Sequence, residues 1–327
     1  MTEQYLMDPS RKPSLAGVER AARKVEAILP PTPLLPLEVD GQIIWCKAEC
    51  LQPIGAFKIR GGWHRLTDLS DDQRKRGVVA FSSGNHAQGV AWAARRLGIN
   101  ATIIMPEDAP KAKLANTKAL GAKVVTYDRM TGARETMAAD IASKTGATVV
   151  PSFDDPWIVE GQGSCGLEIR DQMINLTGSA PDQIIACCGG GGLATGTALA
   201  NPDAEVTVVE PEGWDDMRRS LALGMIVPVE DNPPATACDA LQTLQVAPIT
   251  FDILKERGVR GVIVTEKEVH DAMRIAFEKL QLVVEPGGAV ALAAILAGKA
   301  NMTGQTAVTL SGGNVDHELY AGILMAV

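Results

Sequence analysis

From Gly77 onward the chain alternates two kinds of pattern. "GVVAFSS" is a short β-branched run, and "GNHAQGVAWAARRLGI" after it places apolar residues at helical intervals until Gly98 stops them. The rhythm repeats: "ATIIMPED" reads as a strand, "PKAKLANTKALGA" as a helix, "KVVTYD" as a strand, "TGARETMAADIASKTGA" as a helix and "TVVPS" as a strand. Such alternation, punctuated by tight glycine turns, predicts parallel βαβ units. Residues 78–155 are therefore expected to form a small domain, inserted in a large one made of residues 1–77 and 156–327.

The large domain continues the theme. "EGQGSCGLEIRDQM" predicts a helix, "QIIACC" a buried strand, "LATGTALA" a helix and "EVTVVEP" a strand. "GVIVTEKEVHDAMRIAFEKL" reads as strand, cap and helix, "AVALAAILAG" as an apolar helix, and "TAVTLSGGN" as a strand entering a glycine turn. The expected fold class is α/β, with two parallel-sheet lobes of three αβα layers each. Ligands in such sheets sit beyond the carboxyl ends of the strands, and the candidate motifs fall there.

Composition narrows the picture. The chain has 327 residues, enough for two lobes, and a formal net charge of −8 with Lys and Arg scattered, which argues against a nucleic-acid surface. The polar start "MTEQYLMDPSRKPS" lacks a signal core and no apolar run is long enough for a bilayer, so a cytoplasmic protein with no membrane partner is expected. Six cysteines without a CxxC pair read as buried, reduced thiols.

Several loops carry candidate chemistry, each beside a plainer reading. Gly189 to Gly192 follow a strand and precede a helix, so bare N–H groups and the helix dipole suit a phosphate; alternatively they only let the helix pack closely. The run lacks the lysine of a P-loop and the spaced glycines of a dinucleotide fingerprint. "SSGNHAQG", residues 82–89, suits a carboxylate or phenolate oxygen, or is an N-cap turn. "LSGGNVD" puts Ser311 at a strand end, and "VVEPGG" puts Glu285 at a helix entry. "VVEPEGWDDM" gathers acids that suit a divalent cation or are simply solvated. Lys58, in "GAFKIRGGWH", becomes a nucleophile only if desolvated, as beside Phe57.

Together these motifs resemble a known family. Phe-Lys-x-Arg-Gly at Lys58, Ser-Ser-Gly-Asn-His about twenty-five positions on, the tetraglycine loop and Ser-Gly-Gly-Asn near the end match, in order, the fold-type II pyridoxal phosphate (PLP) enzymes of tryptophan synthase β-like architecture. Within them the chain looks most like the threonine/serine dehydratase and serine racemase family, over nearly its full length. The resemblance implies that Lys58 forms a Schiff base with PLP and later acts as acid and base at the substrate Cα. Phe57 would pack near the ring, Asn85 would bind the phenolic oxygen, and Gly189, Gly190, Gly191 and Gly192 with the Leu193 amide would hold the phosphate. Ser311 would face the pyridine nitrogen, while Ser82, Ser83, Asn85 and His86 would surround the substrate. A hydroxyl partner leaves that nitrogen neutral and the ring a weaker electron sink, which suits β-elimination better than transamination.

The implied activity is an ammonia-lyase (dehydratase) turning a β-hydroxy amino acid, L-threonine or L-serine first, into a 2-oxo acid and ammonia. A racemase is the alternative, with Ser83 as the opposite-face acid/base, and 3-hydroxyaspartate is the alternative substrate, with Arg134 reaching a second carboxylate unless it is a solvated helix charge. Glu210 and Asp216, with the Trp214 carbonyl, match a divalent-cation loop for Mg²⁺, Ca²⁺ or Mn²⁺. A homodimer is implied. Departures from the pattern are Ala56, Gly62, Trp63 and "EPGGAV", and "TACDALQT", residues 236–243, is expected in the pocket wall.

Overall fold

The computed structural model describes residues 8–82, 84–128 and 134–326. Its strands are β1 (Leu34–Val39), β2 (Gln42–Ala48), β3 (Val78–Phe81), β4 (Ala101–Pro106), β5 (Lys123–Tyr127), β6 (Thr148–Val149), β7 (Gln183–Cys187), β8 (Glu205–Pro211), β9 (Arg260–Val264) and β10 (Thr306–Leu310). They form two sheets, one in the order β1-β2-β10-β7-β8-β9 and one in the order β5-β4-β3-β6. The second is wholly parallel, as the βαβ rhythm requires, and the α/β architecture of two parallel-sheet lobes is as expected.

One pairing breaks the parallel rule. β1 runs antiparallel to β2 because Asp40 and Gly41 both take positive φ, 49° and 77°, the geometry of a two-residue hairpin turn. This hairpin lies in the N-terminal stretch, where the periodicity reading predicted no strands.

Burial follows the sheets. All five residues of β7 and all five of β10 are buried, and the helix Pro286–Leu296 packs its apolar surface on them. A second cluster joins Val78, Ala80 and Ile103 of the small sheet to Val25, Ile59 and Leu66 from before Gly77. All six cysteines are free and buried.

Two contacts position the Lys58 segment. The helices Lys58–Thr67 and Asn85–Leu97 touch through glycine: a β-carbon on Gly62 would stand 2.8 Å from the Gly89 carbonyl oxygen. Arg60, fully buried, forms two-pronged bonds with Glu49 and with Glu168, four contacts of 2.7 Å each. Burial pushes the Glu49 carboxyl up, yet Arg60 outweighs it and holds the group down at about 2. The arginine therefore anchors the helix, while the lysine two residues before it takes no part in these ion pairs.

Candidate active site

A cavity of about 460 Å³ opens between the sheets, where β3, β7 and β10 end. Phe57, Lys58, Ser82, Asn85, His86, the four glycines Gly189 to Gly192, Leu193 and Ser311 all line it. Residues more than two hundred positions apart thus meet at one volume, of a size suited to a cofactor with a small substrate. Ser83 lies outside the described residues.

Lys58 opens its helix and donates from Nζ to the Ser152 carbonyl at 2.9 Å, with Nζ 5.1 Å from the centre of the Phe57 ring. It meets no carboxylate partner among the described residues. Desolvation is the main influence and lowers its pKa to about 8, against a small opposing pull from Cys187. A sizeable neutral fraction at physiological pH is what a nucleophilic amine requires.

The tetraglycine loop turns at Gly191, whose φ of 86° makes it the left-handed cap of the helix Gly192–Ala200. Thr250 Oγ1 fixes the loop by donating to the Gly190 carbonyl at 2.9 Å. Gly192 and Leu193, which open the helix, line the cavity, and a helix N-terminus is a ready anion seat. Across the cavity, Ser311 accepts from the Cys187 thiol at 3.1 Å, and its carbonyl accepts from the Phe57 N–H at 3.1 Å.

Asn85 is held from both sides. Its Nδ2 donates to Glu285, and its Oδ1 accepts from Asn314 Nδ2 at 2.9 Å. His86 bonds through Nε2 with the Val150 carbonyl at 2.9 Å, and burial, helped by Lys58, lowers its pKa to about 3. It is a neutral positioning group there rather than an acid.

Arg134 turns toward the cavity wall. It is 31% exposed, stacks 5.6 Å from the Phe81 ring centre and pairs with Glu135 at 2.8 Å, so it is not merely a solvated charge. The departures at Gly62 and Trp63 do not reach the cavity: Trp63 packs edge-on against Trp92 at 5.8 Å and donates to the Lys24 carbonyl at 3.0 Å.

Two buried groups near the site carried no sequence signal. Cys187, in the cavity wall, ends a strand that looks uniformly apolar, and Lys113, behind that wall on Asp239, sits among other lysines in its helix, so nothing local marks either as inward and polar. Asp239, Leu241 and Thr243 of "TACDALQT" do line the cavity.

Beyond the cavity, Glu210 accepts from the N–H groups of Met217 at 3.0 Å and Arg218 at 2.8 Å. Neither oxygen of buried Asp216 has a hydrogen-bond partner; burial drives its pKa up to about 7, and the nearby backbone N–H groups of Val246 and Asp216 itself pull it only part of the way back. Burial and then Asp216 raise Glu210 well above the usual range. Trp214 is buried and donates from Nε1 to the Pro234 carbonyl at 2.8 Å. No cluster of three or more His, Cys, Asp or Glu ligands occurs among the described residues.

The model of the pyridoxal-phosphate dependent enzyme family matches residues 25–313. The chain belongs to the pyridoxal-phosphate dependent enzymes. An L-threo-3-hydroxyaspartate ammonia-lyase of Pseudomonas sp is 41% identical over 321 residues, 95% of this chain and 98% of its own length. An L-threonine ammonia-lyase of Thermotoga maritima is 40% identical over 85% of this chain and 69% of its own. Among solved structures, a maize serine racemase superposes with a TM-score of 0.88 at 32% identity, covering 95% of this chain and 97% of that one. The relatives of this PLP-dependent enzyme thus divide between ammonia-lyases and racemases.

PLP fits the donor set present. The cavity offers a desolvated amine for the aldehyde, helix-opening N–H groups for the phosphate and a hydroxyl for the ring nitrogen. The second site holds two adjoining buried carboxylates, of which Asp216 has unpartnered oxygens. In this PLP-dependent enzyme no described helix is long and apolar enough to cross a membrane.

Proposed function

We propose that the protein is an ammonia-lyase which converts a β-hydroxy amino acid with a second carboxylate, of the 3-hydroxyaspartate type, to a 2-oxo acid and ammonia. The observation that carries this substrate choice is Arg134 in the cavity wall. A guanidinium offers the fork that a carboxylate accepts, and neither a methyl nor a hydrogen at the substrate's end would use it. The relative named for L-threo-3-hydroxyaspartate supports the same choice.

Bound PLP supplies an aldehyde for amine exchange and an electron-withdrawing ring that acidifies Cα. The protein does the rest. Lys58, largely desolvated, takes the proton from Cα and returns it where needed. Ser311, whose oxygen accepts from the Cys187 thiol, keeps its O–H as a donor and would give it to the ring nitrogen. Asn85 holds the phenolic oxygen, and the amides of Gly189 to Leu193 hold the phosphate. Ser82, in the cavity wall before the helix Asn85–Leu97, would receive the α-carboxylate, a role the motif gives to Ser83 as well. Loss of the β-hydroxyl as water and hydrolysis of the resulting enamine give the products.

Glu210 and Asp216, with the Trp214 carbonyl, would bind Mg²⁺, or Ca²⁺ or Mn²⁺, and neutralise the buried charge in that loop. Residues 78–155 would move as one small domain over the substrate. The same reading carries a cytoplasmic homodimer, which sedimentation and cell fractionation check.

A panel of 3-hydroxyaspartate, threonine and serine isomers tests the function, with release of 2-oxo acid and formation of the opposite enantiomer followed together. Preferred release from 3-hydroxyaspartate is expected. Preference for threonine or serine sinks the substrate choice, and enantiomer formation outpacing release would make the protein a racemase.

A further inference from the structure

Lys113 is a buried cation that this account leaves unused. It belongs to the helix Lys111–Ala119, beside the four-stranded sheet, and is 1% exposed. Its Nζ donates to both oxygens of Asp239, at 2.9 and 3.0 Å, and to Glu285 Oε2 at 2.9 Å. Both acids come from the other lobe: Asp239 opens the short turn Asp239–Leu241 in the cavity wall, and Glu285 precedes the helix Pro286–Leu296. One ammonium therefore ties a helix of one lobe to two separate segments of the other.

The two arms end in different places. Through Glu285 the charge reaches Asn85, because the second oxygen of that carboxylate accepts from Asn85 Nδ2. The lysine stem reaches the same turn by packing, since a β-carbon on Gly84 would stand 2.2 Å from Lys113 Cδ. Through Asp239 the charge reaches the wall that carries Leu241 and Thr243. Exposure separates the arms: the Asp239 side chain is 26% exposed and Glu285 only 2%, so water can replace the lysine at the first acid but not at the second. Burial alone pushes Glu285 toward the neutral acid, and Lys113 is the main influence opposing it.

We propose that Lys113 is a positioning residue with two outputs, seating the Asp239 wall over the amino-acid substrate and, through Glu285 and the Gly84 turn, aiming Asn85 at the cofactor. This inference rests on the PLP reading of the cavity. A purely structural ion pair would weaken the fold as a whole; the two arms here separate cofactor retention from substrate binding.

The test compares holoenzyme of the wild type with Lys113→Met, Asp239→Asn and Glu285→Gln. It reads the rate of PLP loss on dilution, hydrogen exchange over residues 236–246, and KM against kcat. Lys113→Met should shed PLP at least about tenfold faster and exchange faster over 236–246, as expected when a buried pair loses its cation. Asp239→Asn should raise exchange and KM while PLP leaves at the wild-type rate, and Glu285→Gln should do the reverse. Wild-type PLP loss and exchange in Lys113→Met overturn the proposal. So does Asp239→Asn shedding PLP as Lys113→Met does. Should Lys113→Met not fold, the other two variants decide it: they must split the readouts, and both moving together overturns the coupling. A wild type that takes up no PLP strikes the function instead, whereas exchange over 236–246 is read without cofactor and still tests the wall arm.

Discussion

A β-carbon on Gly89 would stand 2.7 Å from the carbonyl oxygen of Lys58. The helix that begins with Asn85 thus lies directly against the backbone of the lysine, with no side chain between them. Gly89→Ala must push the two helices apart. A stability loss of about 1–3 kcal/mol is expected from such overpacking, seen as a lowered Tm. PLP affinity should fall with it, because Asn85 and Lys58 would move relative to each other. Unchanged Tm and PLP affinity would mean that the contact relaxes at no cost.

Lys58 sets the pH response. Its folded pKa, depressed to about 8 from 10.5, leaves the amine charged below that value and neutral above it. Uptake of PLP by the apoprotein should accelerate as pH rises through about 8 and then level off. The sign for stability agrees: this depressed group favours folding fully above its unfolded pKa, and that contribution is lost as pH falls through the folded one. Stopped-flow absorbance gives the profile, and a flat rate from pH 6 to 9 would contradict it. Lys58→Ala should cost at least about a thousandfold in activity and prevent borohydride from fixing the cofactor.

Arg134 should discriminate between substrates. Replacing it with Leu removes a charge-assisted bond to the distal carboxylate, worth about 1.5–3 kcal/mol, or roughly ten- to a hundredfold in kcat/KM for 3-hydroxyaspartate. Serine and threonine, which lack that carboxylate, should change little. Equal losses on all three would reassign Arg134 to holding the wall through Phe81 and Glu135.

The acid pair at Glu210 and Asp216 makes metal binding a stability measurement. Asp216, raised to about 7 from 3.8, favours folding fully below its unfolded pKa, and in the metal-free protein that contribution is lost as pH rises through about 7. A cation reverses the loss by compensating the charge. Mg²⁺ should therefore raise Tm clearly at pH 8 and much less at pH 6, with EDTA removing the gain. Asp216→Asn should abolish the ion's effect. A Tm shift of equal size at both pH values would place the ion elsewhere.

Much of this architecture was legible in the chain. β7 and β10 announce themselves as β-branched runs ending in glycine, so the phosphate cradle and Ser311 could be placed at strand ends before any contact was known. The β1–β2 hairpin was missed although Asp-Gly sits at its turn, because the reading relied on the βαβ rhythm that begins later. Lys113 was invisible for a different reason. Its partners, Asp239 and Glu285, are 126 and 172 positions away, and a helix carrying several lysines gives no local sign of which one folds inward. The flanks of Lys58 depart from the family pattern for a reason the sequence does not show: Trp63 is a contact between helices, edge-on against Trp92.

Arg60, locked between Glu49 and Glu168, gives the Phe-Lys-x-Arg-Gly signature two separable meanings. The arginine certifies that the scaffold is assembled, and the lysine certifies that it can react. A descendant that kept the first and lost the second would still fold and still hold an anion at the glycine loop. Such a chain would be a silent sensor wearing an enzyme's motif, and only the lysine would tell the two apart.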